Sequence, residues 1–248
     1  MNKLLEKKVA IRNLIKEKSP FCEEETTRIL NKFFEKIPNS AETLINRYHF
    51  DKVEVLDVGC LYGQTLLYWG EGSEGVDIYE PSVKFLRSLG VGAYTLNVED
   101  GFDKLGGRQY EAIYCSNLIE HLVAPHLFLI RLNILLKPRG ILAIGVPTMP
   151  YFISAIWKIF GFKGWLAKEH INFFTFKTIK LTLERSGFEV LECWSPGLYK
   201  FSHFLSRFGV RLMPHCLFIC RKMENFRYSA AKDLNSSPSW APELNKFN

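Results

Sequence analysis

The chain has 248 residues, of which 47% are hydrophobic and 23% charged, and its formal net charge is +6. These values are close to the average of globular proteins and exclude a chain that is disordered throughout. The length suffices for one large domain, or one domain with an appendage. The positive charge is dispersed, whereas nucleic-acid binding usually requires a clustered basic stripe, so no nucleic-acid partner is predicted.

Cysteine usage and the N-terminal segment predict a cytoplasmic protein. The six cysteines form no C-x-x-C pair, and most lie in apolar runs, as buried free thiols of a reducing compartment do. Residues 1–19 are charged throughout and lack the apolar core of a signal peptide. The run from His215 to Cys220 reads as a strand and no second ligand pair accompanies it, so no metal site is predicted.

The predicted elements divide the chain into three parts. Residues 1–50 carry apolar residues at helical spacing and are predicted to form a helical N-terminal cap. Residues 51–222 alternate strands and helices, and residues 223–248 are a polar tail. Strands are predicted at 53–56, 75–78, 91–96, 110–115, 140–146, 188–193 and 215–220, and helices after them at 65–67, 80–89, 125–136 and 176–186. This alternation predicts a doubly wound α/β fold whose sheet has seven strands, mostly parallel, with the final strand antiparallel.

Two features at neighbouring strand ends indicate a ligand. Residues 53–63, with the sequence VEVLDVGCLYG, pass from an apolar strand into a glycine-containing turn, where a ligand can approach the backbone closely. Asp77 follows 20 residues after Asp57, at the end of the next predicted strand, where a carboxylate can accept hydrogen bonds from both hydroxyls of a ribose. A tight turn without a ligand and a solvated loop aspartate are the structural alternatives.

The dinucleotide fingerprint G-x-G-x-x-G is incomplete. Counting from Gly59, Leu61 and Gln64 stand where the second and third glycines belong, so a pyrophosphate would meet side chains. A ligand without phosphates is therefore favoured, and a nucleotide-dependent oxidoreductase is the disfavoured alternative.

Several segments in register over about residues 45–222 resemble the class I S-adenosylmethionine-dependent methyltransferases. The resemblance is to the branch that includes ubiquinone-biosynthesis-like and other small-molecule enzymes. The segments are LDVGCLYG at 56–63, GVD at 75–77, YEAIYCSNLIEHL at 110–122, LLKPRGIL at 135–142, EHINFFT at 169–175 and LERSGFEV at 183–190. The resemblance implies methyl transfer from S-adenosylmethionine to a small-molecule, glycan or lipid-linked acceptor, with oxygen as the expected nucleophile. A non-catalytic, methyltransferase-like binding subunit is the alternative.

The resemblance also implies which residues bind the cofactor. They are Asp57, Gly59, Cys60 and Gly63 in the turn beside its methionine portion, Asp77 at the ribose, Ile78, Asn97 and Val98 around the adenine, and Cys115 and Ser116 below the sulfonium. The sequence departs from the family pattern at Leu61, where glycine is usual, at Arg139 and at Asn97, where aspartate is frequent. A side chain at Leu61 would either crowd the cofactor or turn away from it.

His121 and His170 are the predicted catalytic residues, because an oxygen nucleophile needs a base and histidine titrates near neutral pH. The alternative is that His121 caps a helix, that His170 packs in the core, and that Glu120 orients its neighbour. The aromatic segment 151–165 allows three interpretations: a peripheral membrane surface, a roof over the acceptor site, or plain core. Its place after the fifth strand predicts that it lies over an apolar or lipid-linked acceptor.

Overall fold

Seven strands form a single mixed sheet in the computed structural model of the chain, in which residues 3–148, 169–195, 215–224 and 226 are described. The strands are β1 Val55–Val58, β2 Glu74–Asp77, β3 Gly92–Thr95, β4 Tyr110–Ser116, β5 Leu136–Pro147, β6 Phe188–Trp194 and β7 His215–Lys222. Their order is β3-β2-β1-β4-β5-β7-β6, and only β7 runs antiparallel to its neighbours. The predicted doubly wound α/β fold with a final antiparallel strand is confirmed.

Six α-helices are described. They are α1 Lys3–Lys18, α2 Glu23–Phe33, α3 Asn39–Tyr48, α4 Glu80–Ser88, α5 Pro125–Leu135 and α6 Phe176–Arg185. The first three form the predicted N-terminal cap. The Lys7 ammonium joins this cap to the end of the 3-10 turn that follows β1, donating to the carbonyl oxygens of Tyr68 at 2.6 Å and Trp69 at 3.2 Å.

The sheet is buried on both faces at its centre, as its composition predicts. All four residues of β1 are buried, and β5 is buried from Leu142 to Val146. Continuous apolar runs of this kind are typical of central parallel strands that are covered on both faces. Because β1, β2, β4 and β5 run parallel, their carboxyl ends lie along one edge of the sheet, where ligands bind in such folds.

The prediction of an α-helix directly after the glycine turn is wrong. A single 3-10 turn, Leu66–Tyr68, stands at that place. The chain must already return at Gly70, whose amide donates to the Phe50 carbonyl at 2.9 Å. A Cβ on Gly70 would lie 2.5 Å from the Val53 oxygen, so this passage is tight, and too few residues remain for a longer helix.

Other predicted bounds shift by a few residues. The fifth strand begins at Leu136 and not at 140, because it pairs with Tyr110 before the register shift that follows Tyr110. Among the described residues, no helix is long and apolar enough to cross a membrane. The aromatic segment 151–165 and nearly all of the tail 223–248 lie outside the described residues.

Candidate active site

The glycine turn after β1 follows a left-handed path. Gly59, Leu61 and Gly63 have φ angles of 76°, 46° and 77°. The amides of Gly59 and Cys60 donate to the Val76 carbonyl oxygen at 2.9 and 3.2 Å, which ties the turn to β2. Leu61 is the residue for which this path is costly, because a Cβ makes the left-handed region unfavourable.

Asp77 at the end of β2 holds the same turn. Its Oδ2 accepts from the Leu61 amide at 2.7 Å, and its Oδ1 accepts from the Tyr79 amide at 2.8 Å. A carboxylate offers about four lone-pair sites, so each oxygen can still accept another hydrogen bond. Asp77 is therefore positioned both to order the turn and to receive hydroxyl groups.

Asp57 is the buried acid of the site. Its Oδ2 accepts from the Thr65 hydroxyl at 2.7 Å and from the Trp69 indole at 3.0 Å. Burial raises the pKa of Asp57 to about 7, although these two hydrogen bonds act in the opposite direction. The pKa of this carboxyl group therefore lies near neutral pH, and a cation that approaches it favours the ionised form and release of the proton.

Two cavities share Gly59 along the edge of the sheet. The first, which we call the Asp57 cavity, has a volume of about 310 Å³, and the second, the Asp77 cavity, about 230 Å³. The Asp57 cavity is lined by residues of β1, β4, β7 and the cap, including Ser40, Asp57, Gln64, Tyr114, Ser116 and His215. The Asp77 cavity is lined by residues of the β2 and β3 ends and of the segment after β4, including Asp77, Ile78, Asn97, Val98, Leu118 and His121.

The structure brings most of the predicted cofactor residues to these cavities. Asp57, Gly59, Cys60 and Ser116 line the first cavity, and Gly59, Asp77, Ile78, Asn97 and Val98 line the second. Gly63 and Cys115 line neither cavity.

The two exceptions have packing roles. A Cβ on Gly63 would lie 2.6 Å from the Leu86 side chain, so this glycine allows α4 to approach the turn. Cys115 is fully buried within β4, and burial raises the pKa of its thiol.

Leu61 does not line either cavity. Its side chain is half-buried and packs against the hydrophobic core. Of the two orientations considered from the sequence, this placement favours the one in which the side chain turns away from the ligand space.

Sequence reasoning missed two polar side chains that line the Asp57 cavity. Gln64 Oε1 and His215 Nε2 are buried and have no hydrogen-bond partner among the described residues. Burial lowers the pKa of His215, which keeps its imidazole neutral and able to accept a proton. His215 lies 98 residues along the chain from Asn117, another residue that lines the cavity. The pairing of β7 with β5 brings it to the cavity, so no local sequence signal marks it.

His121 and His170 lie side by side after β4. Their ring centroids are 4.8 Å apart at an interplanar angle of 79°. His121 lines the Asp77 cavity, and His170 lines neither cavity. Burial and the neighbouring His121 lower the pKa of His170.

These features define a class I S-adenosylmethionine-dependent methyltransferase. The sheet order, the glycine turn after β1 and the acid at the end of β2 are its common elements. A family model described as "Methyltransferase domain" matches residues 18–193, and the chain belongs to that family. S-adenosylmethionine is accordingly its cofactor.

Solved structures show the same fold at low sequence identity. A TehB-like methyltransferase from Corynebacterium glutamicum is 16% identical, with a TM-score of 0.56 over 80% of this chain and 95% of that one. An S-adenosylmethionine-dependent methyltransferase from Thermotoga maritima is 17% identical, with a TM-score of 0.54 over 80% and 95%. A Haloferax volcanii methyltransferase, in complex with the activator Trm112, is 16% identical, with a TM-score of 0.55 over 81% and 95%. The comparison with curated proteins gave no match.

Proposed function

We propose that the chain transfers a methyl group to an oxygen of a small-molecule, glycan or lipid-linked acceptor that binds in the Asp57 cavity. The observation that carries this proposal is the pair of cavities that meet at Gly59. The Asp77 cavity has an apolar rim and an acid that can accept ribose hydroxyls. The Asp57 cavity has two buried polar atoms, Gln64 Oε1 and His215 Nε2, that lack a partner among the described residues. When bound, S-adenosylmethionine supplies an electrophilic methyl group on a sulfonium ion.

The chain's own residues support a cofactor that extends through both cavities. Asp77 has lone pairs left for two ribose hydroxyls, and Ile78, which is 70% exposed, offers an apolar surface to an adenine ring. Gly59 gives the ligand close access to the backbone, because its left-handed φ disfavours a side chain there. Asp57 faces the other cavity, where an ammonium group would favour its ionised form.

The acceptor side of the proposal rests on the Asp57 cavity. The acceptor oxygen attacks the methyl carbon in line with the carbon–sulfur bond, which breaks, and the hydroxyl proton must leave. His215 lies in this cavity and its Nε2 has no partner among the described residues, so we infer that it accepts that proton. Burial lowers the pKa of His215, which favours the neutral ring that this role requires. His121 and His170 stay candidates from the sequence, but neither lines the Asp57 cavity.

The aromatic segment 151–165 was predicted to cover the acceptor and to make it apolar or lipid-linked. It lies outside the described residues, so this part of the acceptor proposal rests on the sequence alone. A peripheral membrane contact through the same segment is likewise proposed from the sequence, and vesicle co-sedimentation of the purified protein tests it.

A screen with methyl-labelled S-adenosylmethionine tests the function. Pools of hydroxyl-bearing small molecules, glycans and lipid-linked sugars are offered to the parent protein and to His215→Asn. Transfer of label by the parent, and its loss in the variant with unchanged cofactor affinity, supports the proposal. Label that is transferred equally by both proteins refutes the role of His215. Cofactor binding without transfer to any pool supports the alternative of a non-catalytic binding subunit.

A further inference from the structure

Three side chains of the types that bind metals, one glutamate and two histidines, form a cluster beside the end of β4. Glu120 and His121 belong to the 3-10 turn Ile119–His121, and His170 comes from the segment that precedes α6. One ligand atom of each residue lies within 4.8 Å of the others. His170 follows His121 by 49 residues, so the spacing of ligands along the chain does not reveal this cluster, and the sequence predicts no metal site.

Hydrogen bonding orients His121 toward this cluster. Its Nδ1 lies 3.0 Å from the backbone oxygen of Glu169. A carbonyl oxygen only accepts, so Nδ1 carries the proton, and in the neutral ring Nε2 keeps its lone pair. This Nε2 is the atom that faces Glu120, at 3.9 Å from Oε1. Metal-binding histidines typically have this arrangement, in which the second nitrogen donates to a carbonyl or carboxylate.

Glu120 is a buried carboxylate that lacks compensation. The residue is 1% exposed, and neither carboxylate oxygen has a hydrogen-bond partner among the described residues. A buried charge without partners is costly, and proteins avoid it by neutralisation, by pairing or by metal coordination. The nearby cation candidates in the described part of the chain are the two histidines of the cluster, and His121 is half-buried and engaged through its other nitrogen.

Backbone hydrogen bonds hold the two segments of the cluster together. The amides of Ile171 and Asn172 both donate to the Glu120 backbone oxygen at 3.0 Å, and the Asn172 side chain donates to the Leu122 oxygen at 2.5 Å. The distance between the two segments is thereby set by main-chain contacts. The side chains can thus close on a ligand without a change in the fold.

We propose that Glu120, His121 and His170 bind a divalent transition-metal ion. Two imidazoles and one carboxylate suit Zn²⁺, Mn²⁺, Fe²⁺ and Co²⁺, and three protein ligands leave open coordination positions. Bonds of about 2.0–2.2 Å place neighbouring ligand atoms about 3–3.5 Å apart, so the ligand atoms must approach by roughly 1 Å.

The position of the ion places it beside the proposed cofactor site, and this step rests on the proposed function. His121 lines the Asp77 cavity, which we assign to the ribose and adenine of the cofactor. An ion on His121 therefore borders the cofactor, where an open coordination position can take a hydroxyl oxygen of the ribose. His121 does not line the Asp57 cavity, where the acceptor is proposed to bind.

Metal titration of the chelator-treated full chain tests the site without any acceptor. Zn²⁺ is titrated by calorimetry and Co²⁺ by its visible absorption, in the parent and in Glu120→Gln, His121→Ala and His170→Ala. The parent is expected to bind one equivalent, and each variant to bind at least tenfold more weakly. His126→Ala is the matched control, because it removes an imidazole of α5 outside the cluster and is expected to leave the affinity within twofold.

Two readouts keep the outcomes apart. Glu120→Gln removes the charge with little change in shape, so a parent-like melting temperature shows that its weaker metal binding is not unfolding. The proposed site is overturned if the parent binds no metal, or if all three variants bind metal as tightly as the parent. Titration with S-adenosylmethionine runs in parallel: cofactor binding without metal binding refutes only the metal site. Metal binding without cofactor binding refutes only the proposed function.

Discussion

Asp77→Ala is the substitution that most directly tests the cofactor site. The carboxylate accepts the amides of Leu61 and Tyr79 and is expected to accept two ribose hydroxyls as well. A hydrogen bond to a charged group is worth about 1.5–3 kcal/mol, so the loss of one ribose contact alone weakens binding by about 10- to 150-fold. The two lost amide contacts lower the free energy of unfolding by about 3–6 kcal/mol in total. The melting temperature is then expected to fall by about 6–24 °C.

Calorimetry with two ligands separates the ribose contact from the ordering of the turn. S-adenosylhomocysteine and its 2′-deoxy analogue differ in one hydroxyl only. The parent should prefer the former at least tenfold, and Asp77→Ala should bind both equally, because the acceptor of that hydroxyl is gone. Glu80→Ala, which removes an exposed carboxylate three residues away, is the control and should preserve the preference. A variant that still discriminates between the two ligands would refute the ribose-binding role of Asp77.

Three further substitutions test the rest of the site. Leu61→Gly relieves the strain of a left-handed φ of 46° but removes packing against the core, so the free energy of unfolding should change by less than about 2 kcal/mol in a melting experiment. Cofactor affinity, measured by calorimetry, should change by less than twofold. Tighter binding would mean that Leu61 crowds the cofactor. His215→Asn should lower kcat at least about 100-fold at unchanged cofactor affinity, and a parent-like kcat contradicts its role as base. The folded pKa of Asp57, about 7, lies above its unfolded value, so this group stabilises the fold below about pH 4 and loses its contribution as the pH rises through 7. Denaturant unfolding should show the parent losing about 2–3 kcal/mol relative to Asp57→Asn between pH 5 and 8, and parallel pH profiles refute the raised pKa.

The sequence predicts the sheet well because its signals are local. Continuous apolar runs mark β1, β4 and β5, and the residues that end β1 and β2, Asp57 and Asp77, reach the same edge in any parallel arrangement of these strands. The sequence could not show, by such local signals, that no α-helix follows the glycine turn. Its absence depends on the close passage of Gly70 over Val53, which is a tertiary contact.

The candidate site is predicted only where the motifs are contiguous. Gly63 is predicted from such a motif to bind the cofactor, and its close approach to Leu86 of α4 is a tertiary contact that the motif does not show. His215 and the pair of His121 and His170 depend on contacts between distant segments, through β7 in one case and through the backbone bonds to Glu120 in the other. No local pattern distinguishes such residues from ordinary packing histidines.

The short connection after β1 has a consequence for how the cofactor is held. In doubly wound sheets an anionic ligand group commonly meets the N-terminus of the first helix, where free amides and the helix dipole favour it. Here only the 3-10 turn Leu66–Tyr68 follows, and Asp57 bonds to Thr65 and Trp69 at its two ends. The dipole of so short a turn is small, because it sums over few peptide units. Side chains must then supply hydrogen-bond donors to an anionic group in the Asp57 cavity, and the side chain of Gln64, whose amide nitrogen is a donor, lines it.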